Sequence, residues 1–246
     1  MDEVAERLAG IFDYCGFDMV YFDGGEDVDR RRFNYYSSNF QHQAMKRFSK
    51  RPIIHMGTVL THRLWHSFAR SGTVDTYLNT LHGAIIGGRE IEQWPTVRDH
   101  IDRSVRRNVA LAEDMMPAEL GWFGIWPAGE NTDGLQLDEF EYLLCKSLGY
   151  DVPISLQTSF AQLEAHRLSP EILTMVREYE SMRMARSVPD EVCRKLQQAG
   201  KDFARVRRGG RDTWVEVKRV DSPASIRELR AMVGALGDGS VASVWH

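Results

Sequence analysis

The chain has 246 residues, of which 43% are hydrophobic and 27% are charged, as is typical of a soluble globular protein. Its formal net charge is −4, which argues against a general electrostatic attraction to nucleic acid, so no nucleic-acid partner is expected. No apolar run approaches the roughly 20 residues that a membrane-spanning helix needs, so no membrane partner is expected either. Residues 1–15 contain several acids and lack the basic start of a signal peptide.

The spacing of the cysteines indicates no metal site. Cys15, Cys145 and Cys193 lie far apart and form neither a CxxC pair nor a metal-type spacing. Cys15 and Cys145 fall in helical apolar patterns and are predicted core residues.

The cellular location stays open, because a full-length protein that contains this chain is compatible with secretion or a periplasmic location. The oligomeric state is open as well.

The first third of the chain repeats one order of elements, a helix followed by a short strand. Residues 2–15 are predicted to form an amphipathic helix that Gly16 ends. The helix face that is expected to be buried carries Val4, Leu8, Ile11, Phe12 and Cys15. Phe17 to Phe22 is predicted as a strand that ends at Asp23-Gly24-Gly25. Ser38 is expected to cap the next helix, and Pro52 to Met56 to form a strand before Gly57.

The same order continues further along the chain. The pattern predicts a long helix from Pro95, a strand at 119–126 and a helix at 137–148 that Gly149 ends. A strand at 152–157 and a helix from Ser169 follow, and Ser187 to Pro189 starts another helix. Alternation of helices with single strands predicts a parallel sheet with crossover helices. No GxGxxG turn opens a helix, so the Rossmann fold is disfavoured.

We therefore predict an α/β fold of the (β/α)8 TIM-barrel type, in which polar residues cluster after the strand ends. Residues 1–200 are predicted to form a partial barrel, the catalytic domain. Residues 201–246 are predicted to begin an antiparallel β domain, with a hairpin around Gly209-Gly210. The first helix leads directly into a buried strand and the apolar run at 240–246 stops abruptly, so the barrel is expected to be incomplete, a fragment of a longer chain.

The first group of candidate site residues follows the first predicted strand. Asp23 comes directly after the apolar run, and Glu26 lies three residues later. In a barrel an acid at a strand end points into the mouth, where active sites lie. Both carboxylates are therefore candidate catalytic residues.

A second group lies within residues 58–75 and combines aromatic rings with hydrogen-bond donors. It contains His62, Trp65, His66, Arg70 and Asp75. Aromatic rings suit the apolar faces of sugars, and Arg and His donate to hydroxyl or carboxylate groups. The HExxH zinc motif fails here because Arg63 follows His62, so no metal site is predicted. A further aromatic candidate, Trp122, lies in the predicted strand at 119–126.

The order of these elements resembles the second half of the barrel in alpha-galactosidase-like retaining glycoside hydrolases, over roughly residues 15–160. In that group a strand ends in an aspartate nucleophile, and about fifty residues later an arginine shortly precedes the aspartate acid/base. Tyr21-Phe22-Asp23 matches the first motif, and Arg70 to Asp75 resembles the second, 52 residues after Asp23. The chain departs from the family where Ala69 replaces a tryptophan and where arginine and aspartate stand one residue further apart. Glu26 and Glu130 are the substitute acid/base candidates.

The resemblance implies a glycoside hydrolase that acts on an oligo- or polysaccharide by a two-carboxylate mechanism, without a cofactor. Asp23 would be the nucleophile and Asp75 the acid/base, with Glu26 as a third catalytic candidate. His62, Trp65, His66, Arg70 and Trp122 would bind the sugar. Two alternatives remain open, namely a lyase or epimerase acting on uronic acids, and a non-catalytic carbohydrate-binding barrel.

Overall fold

The computed structural model describes residues 1–23, 33–57, 85–86, 89–90, 97–114, 118–130, 134–221, 230–236 and 239–245. The helices are α1 (Asp2–Cys15), α2 (Phe33–Arg47), α3 (Val97–Asp114), α4 (Leu137–Tyr150), α5 (Phe160–Ala165), α6 (Ser169–Ala185) and α7 (Asp190–Leu196). The strands are β1 (Met19–Phe22), β2 (Ile54–Gly57), β3 (Ile85–Ile86), β4 (Arg89–Glu90), β5 (Leu120–Gly124), β6 (Ile154–Gln157), β7 (Asp202–Arg208), β8 (Arg211–Asp221), β9 (Arg230–Leu236) and β10 (Gly239–Trp245).

The chain divides into two compact units. Unit one contains Met1–Gly72 with Arg107–Glu119, and unit two contains Thr73–Arg106 with Leu120–His246. The helices in the described residues include none that is long and apolar enough to cross a membrane.

The predicted first helix is confirmed, but its buried face differs from the expected one. Gly16 ends α1 in the left-handed conformation at φ 68°, where a residue without a side chain is favoured. The helix buries a narrow stripe formed by Ala5, Ala9 and Phe12. Cys15 is exposed, so the prediction that it is a core residue is wrong. The apolar face of α1 is wider than the part of the helix against which α2 and β1 pack.

A parallel β–α–β arrangement follows α1 in unit one. Strand β1 pairs with β2 in parallel, and α2 makes the crossover between them. The stacked rings of Phe12 and Phe48, 4.2 Å between centroids, lie in the core that α1, α2 and β1 share. Helix α2 begins at Phe33, so the prediction that Ser38 caps it is wrong, and Ser38 is buried within the helix.

Unit two contains a second parallel pair, β5 with β6, connected through α4. Helix α4 starts with a capping box in which the Gln136 backbone N–H donates to Glu139 Oε2 at 3.1 Å. The helix continues to Tyr150, so the prediction that Gly149 ends it is wrong. A Cβ atom at Gly149 would lie 2.9 Å from the carbonyl oxygen of Cys193, and glycine there lets α7 approach α4. Cys145 is buried in α4, as predicted.

The C-terminal strands form an antiparallel sheet in the order β10-β9-β8-β7. The predicted hairpin is confirmed, since β7 and β8 pair around Gly209 and Gly210, which have φ of 55° and 78°. Trp214 on β8 packs edge-on against Tyr179 of α6, with 6.4 Å between ring centroids. Both rings are buried, so β7 and β8 share a core with α4 and α6. The domain boundary at residue 200 stays a prediction.

The parallel pairing of β1 with β2 and of β5 with β6 agrees with the crossover pattern that the sequence predicts. In the described residues the remaining short strands, β3 and β4, pair with each other. A closed (β/α)8 barrel stays a prediction. In each parallel pair the carboxyl ends of the two strands lie at the same edge, and Asp23 directly follows β1 at that edge of unit one.

Candidate active site

Strand β1 presents its two faces to different surroundings. Val20 and Phe22 are buried in the core with α1 and α2. Side chains alternate between the faces of a strand, so Tyr21 lies on the opposite face, and Asp23 continues the alternation on that side. Asp23 follows the last residue of β1 directly and is exposed. Asp23 thus stands, exposed, at the carboxyl end of the strand.

The neighbouring strand ends at the same level. Phe22 of β1 pairs with Gly57 of β2, the last residue of each strand. A Cβ atom at Gly57 would lie 2.7 Å from the carbonyl oxygen of Phe22, so only glycine allows the two strands to pair this closely. The carboxyl ends of β1 and β2 therefore form one edge, and Asp23 stands at that edge.

The predicted partners of Asp23 lie outside the described residues. They are Glu26, His62, Trp65, His66, Arg70 and Asp75. The structure describes the backbone of Trp122, which belongs to β5 in unit two, whereas Asp23 belongs to unit one. The pairing of Asp23 with Asp75 and the role of the sugar-binding candidates stay predictions.

The loop after β5 holds the ring of Trp126 in a fixed position. A Cβ atom at Gly124 would lie 1.9 Å from Trp126 Nε1, so the indole lies directly against the glycine backbone. The Leu135 N–H donates to the Trp126 carbonyl at 3.0 Å, and Gly134 adopts φ 77° to close the loop. Trp126 is half-buried, and Glu130 is exposed within the same loop. An aromatic ring and a carboxylate therefore both follow the carboxyl end of β5.

A second aromatic ring, which the sequence analysis missed, follows β6. Gln157 ends β6 in register with Gly124 of β5. The Ser159 side chain then caps α5 by accepting from the Gln162 N–H at 3.2 Å, and Phe160 begins the helix with 86% of its surface exposed. The signal that identifies this helix is the Ser-x-x-Gln capping pattern. Phe160 itself looks, in sequence, like any buried apolar residue.

Groups with shifted pKa values lie elsewhere in unit two. Arg98 of α3 donates to Asp138 Oδ2 and Asp202 Oδ1, each at 2.5 Å. Burial raises the pKa of the Asp202 carboxyl, an effect that Arg98 opposes. All three side chains are largely buried, with Arg98 at 14% exposure. The ion pairs join α3 to α4 and to the start of β7.

A second buried network adjoins the first. Lys146 Nζ donates to the carbonyls of Leu196, at 3.1 Å, and Gln198. The Tyr142 hydroxyl donates to Asp102 Oδ2 at 2.7 Å. Burial raises the pKa of Tyr142 and lowers the pKa of Lys146. Perturbed pKa values often mark active sites. Here, however, Lys146 donates to backbone carbonyls at the end of α7 and Tyr142 donates to a carboxylate of α3. We therefore assign this network to stability.

A cavity of about 480 Å³ lies where α4, α6 and α7 end or begin, and Arg183, Cys193 and Arg194 are among its lining residues. Arg183 is held by ion pairs to Asp151 at 3.1 Å and to Glu180 at 2.8 Å. Burial raises the pKa of the Cys193 thiol, which favours its protonated form. Asp151 precedes β6, so the cavity lies toward the amino end of that strand.

No group of three or more potential metal ligands occurs among the residues that the structure describes. Comparisons of the chain with models of known protein families, with curated proteins and with solved structures find no match.

Proposed function

We propose that this protein hydrolyses glycosidic bonds, with Asp23 as the catalytic nucleophile of a (β/α) barrel. The observation that carries the proposal is the position of Asp23. Asp23 is exposed and directly follows the last residue of a parallel strand. Barrel enzymes place their catalytic groups at that end of the strands.

The proposed reaction uses two carboxyl groups. The carboxylate of Asp23 attacks the anomeric carbon. At the same time a protonated acid, Asp75 or its substitute Glu26, transfers its proton to the leaving glycosidic oxygen. Water, deprotonated by the same acid/base residue, then displaces Asp23 and releases the sugar. Retention of configuration requires the two carboxyl groups to be about 5–5.5 Å apart. The reaction needs no cofactor.

Aromatic side chains at strand ends support a carbohydrate substrate. Trp126 and Phe160 follow β5 and β6, whose carboxyl ends are in register, and Phe160 is exposed there. Sugar rings have apolar C–H faces that stack on such rings, while polar groups fix their orientation. Trp65 and Trp122 are the further ring candidates, and Arg70, His62 and His66 the polar ones.

Two aspartates on either side of β1 provide a matched test. Asp18 lies before the strand and forms an exposed ion pair with Lys50 at 2.7 Å, whereas Asp23 lies after it. The wild-type protein is screened against aryl glycosides and polysaccharides, and the Asp23→Asn and Asp18→Asn variants are assayed on whichever substrate is cleaved. We expect Asp23→Asn to lower kcat by at least about 10³-fold and Asp18→Asn to leave it within about twofold.

Other outcomes redirect the proposal. Full activity in Asp23→Asn removes Asp23 from the mechanism. An unsaturated product that absorbs in the ultraviolet identifies a lyase acting on uronic acids instead. Saturable binding of a polysaccharide without any cleavage by wild type identifies a non-catalytic carbohydrate-binding barrel.

A further inference from the structure

The carboxyl ends of β5 and β6 bring an aromatic ring and an amide to one face of the sheet in unit two. Gly124, the last residue of β5, pairs in register with Gln157, the last residue of β6. Directly paired residues of neighbouring strands direct their side chains to the same face of a sheet. A Cβ atom at Gly124 would lie 1.9 Å from Trp126 Nε1, so the indole occupies the space that a side chain at Gly124 would fill. The indole of Trp126 and the side chain of Gln157 therefore lie on the same face, on neighbouring strands.

The opposite face of these strands belongs to the core. Phe123, the residue before Gly124, is fully buried and packs edge-on against Phe140 of α4, with 5.3 Å between ring centroids. Side chains alternate between the two faces of a strand, so the face that carries the indole and the amide is directed away from α4. Gln157 is exposed and Trp126 is half-buried. Both side chains are thus held at the strand ends while part of their surface remains accessible to solvent.

A second aromatic ring lies close to this pair along the chain. Phe160 follows Gln157 by three residues, and 86% of its surface is exposed. The Ser159 side chain accepts from the Gln162 N–H at 3.2 Å and so fixes the start of α5, where Phe160 stands. The ring therefore offers a further apolar contact to a ligand of more than one unit.

The charge of these segments restricts the class of ligand. Residues 118–130 and 152–165, which contain β5, β6 and the residues that follow them, include three glutamates and neither lysine nor arginine. Nucleic acids, and polysaccharides that carry carboxylate or sulfate groups, depend on such cations for much of their affinity. The two segments therefore favour an uncharged ligand whose surface is partly apolar and partly hydroxylated.

We propose that Trp126 and Gln157 form a binding subsite for a neutral sugar unit of an oligo- or polysaccharide. The apolar C–H face of the sugar ring stacks on the indole, and the Gln157 amide, which has both donors and an acceptor, hydrogen bonds to the sugar hydroxyl groups. Phe160 contacts a neighbouring unit of the same ligand. The choice of a sugar among neutral ligands rests on the proposed function. The subsite is built within unit two, and its occupation requires neither Asp23 nor hydrolysis.

Calorimetric titration of the intact protein measures this binding directly. The ligands are short oligosaccharides of glucose, galactose, mannose and xylose, with oligogalacturonate as the anionic comparison. The test variants are Gln157→Ala, Phe160→Ala and Trp126→Leu, the last of which retains an apolar side chain. The matched controls are Gln198→Ala, which removes an exposed amide, and Tyr14→Ala, which removes a ring that is 93% exposed.

We expect at least one neutral oligosaccharide to bind more tightly than oligogalacturonate. Gln157→Ala should weaken that binding by about three- to tenfold, as the loss of one net hydrogen bond predicts. Trp126→Leu should weaken it by about tenfold and Phe160→Ala by about threefold, because each removes apolar contact area. Each control should change it by less than about twofold. Circular dichroism checks the fold of each variant, and Gln157→Ala, at an exposed position, keeps the test decisive if Trp126→Leu does not fold.

Three results would overturn the proposal: no binding of any neutral oligosaccharide, tighter binding of oligogalacturonate, or equal losses in the test and control variants. A change of oligomeric state in Phe160→Ala without a change in sugar affinity would assign that ring to a protein contact instead. Unchanged binding in Asp23→Asn together with lost hydrolysis supports both proposals. Binding by a protein that cleaves no glycoside supports the subsite and contradicts only the proposed function.

Discussion

Replacing Lys146 by methionine removes a buried ammonium group while keeping most of the packing of the side chain. The Lys146 side chain is 1% exposed, and Nζ donates to the carbonyls of Leu196 and Gln198. Leu196 is fully buried, so its carbonyl would lose its donor at a cost of about 1–3 kcal/mol. Asp102, 4.0 Å away, would also lose a nearby cation. The desolvation cost of the ammonium disappears at the same time, which offsets part of the loss. We expect the free energy of unfolding to fall by about 2–4 kcal/mol.

Urea unfolding, followed by tryptophan fluorescence, measures this loss. The matched control is Lys201→Met, since Lys201 is 44% exposed and its ion pair with Glu216, at 3.1 Å, is a surface pair. The control should lose at most about 1 kcal/mol. Hydrogen exchange of the backbone around Gly200 should accelerate in Lys146→Met and not in the control. If the two variants lose the same stability, the buried ammonium does not hold the end of α7.

Three further variants concern stability. Gly149→Ala should destabilise by about 1–3 kcal/mol, because its methyl group would meet a backbone carbonyl of α7 at 2.9 Å. A Cβ atom at Gly10 would have no other atom within 4 Å, so Gly10→Ala should stabilise α1 by about 0.5–1 kcal/mol. The Tm of the two variants should therefore shift in opposite directions, and shifts in the same direction would contradict this prediction. Glu141→Gln retains the acceptor for the Tyr179 hydroxyl and the Arg205 N–H and removes a carboxyl whose pKa burial raises. Because the pKa of Glu141 is raised in the folded state, the stability of wild type falls as pH rises above the ordinary glutamate value of about 4.3. The free energy of unfolding of Glu141→Gln relative to wild type, measured in urea, should therefore rise with pH. A difference between the two proteins that stays constant with pH would refute this prediction.

Local signals in the sequence were sufficient for most helices and strands. Gly16, the Ser169-Pro170 start and the Gly209-Gly210 turn each mark a boundary that the structure confirms. Parallel pairing of β1 with β2 follows from the alternation of helices and single strands. These features depend on residues close together in the chain.

Features that depend on packing between distant segments were not predictable in this way. Gly149 looks like a helix stop, but its lack of a side chain serves the approach of α7, which lies more than forty residues later. Cys15 continues an apolar helical pattern, yet the neighbouring elements cover a narrower stripe. The Lys146 and Arg98 networks join residues up to 104 positions apart, and no local pattern identifies them.

In the candidate site, too, local sequence predicts some features and tertiary packing decides others. The position of Asp23 at a strand end follows from its place after an apolar run, and the structure confirms it. Phe160 was missed because its exposure depends on the capped turn that starts α5. A lone phenylalanine in sequence carries no sign of whether tertiary packing covers it.

Covalent labelling tests the role of Asp23 most directly. The protein is incubated with the activated 2-fluoro derivative of a glycoside that it cleaves, and its peptides are analysed by mass spectrometry. We expect the glycosyl adduct on the peptide that contains Asp23, its absence in Asp23→Asn, and its persistence in Asp18→Asn. An adduct on another carboxylate, or cleavage that inverts the anomeric configuration without any adduct, would contradict the assignment of Asp23 as nucleophile.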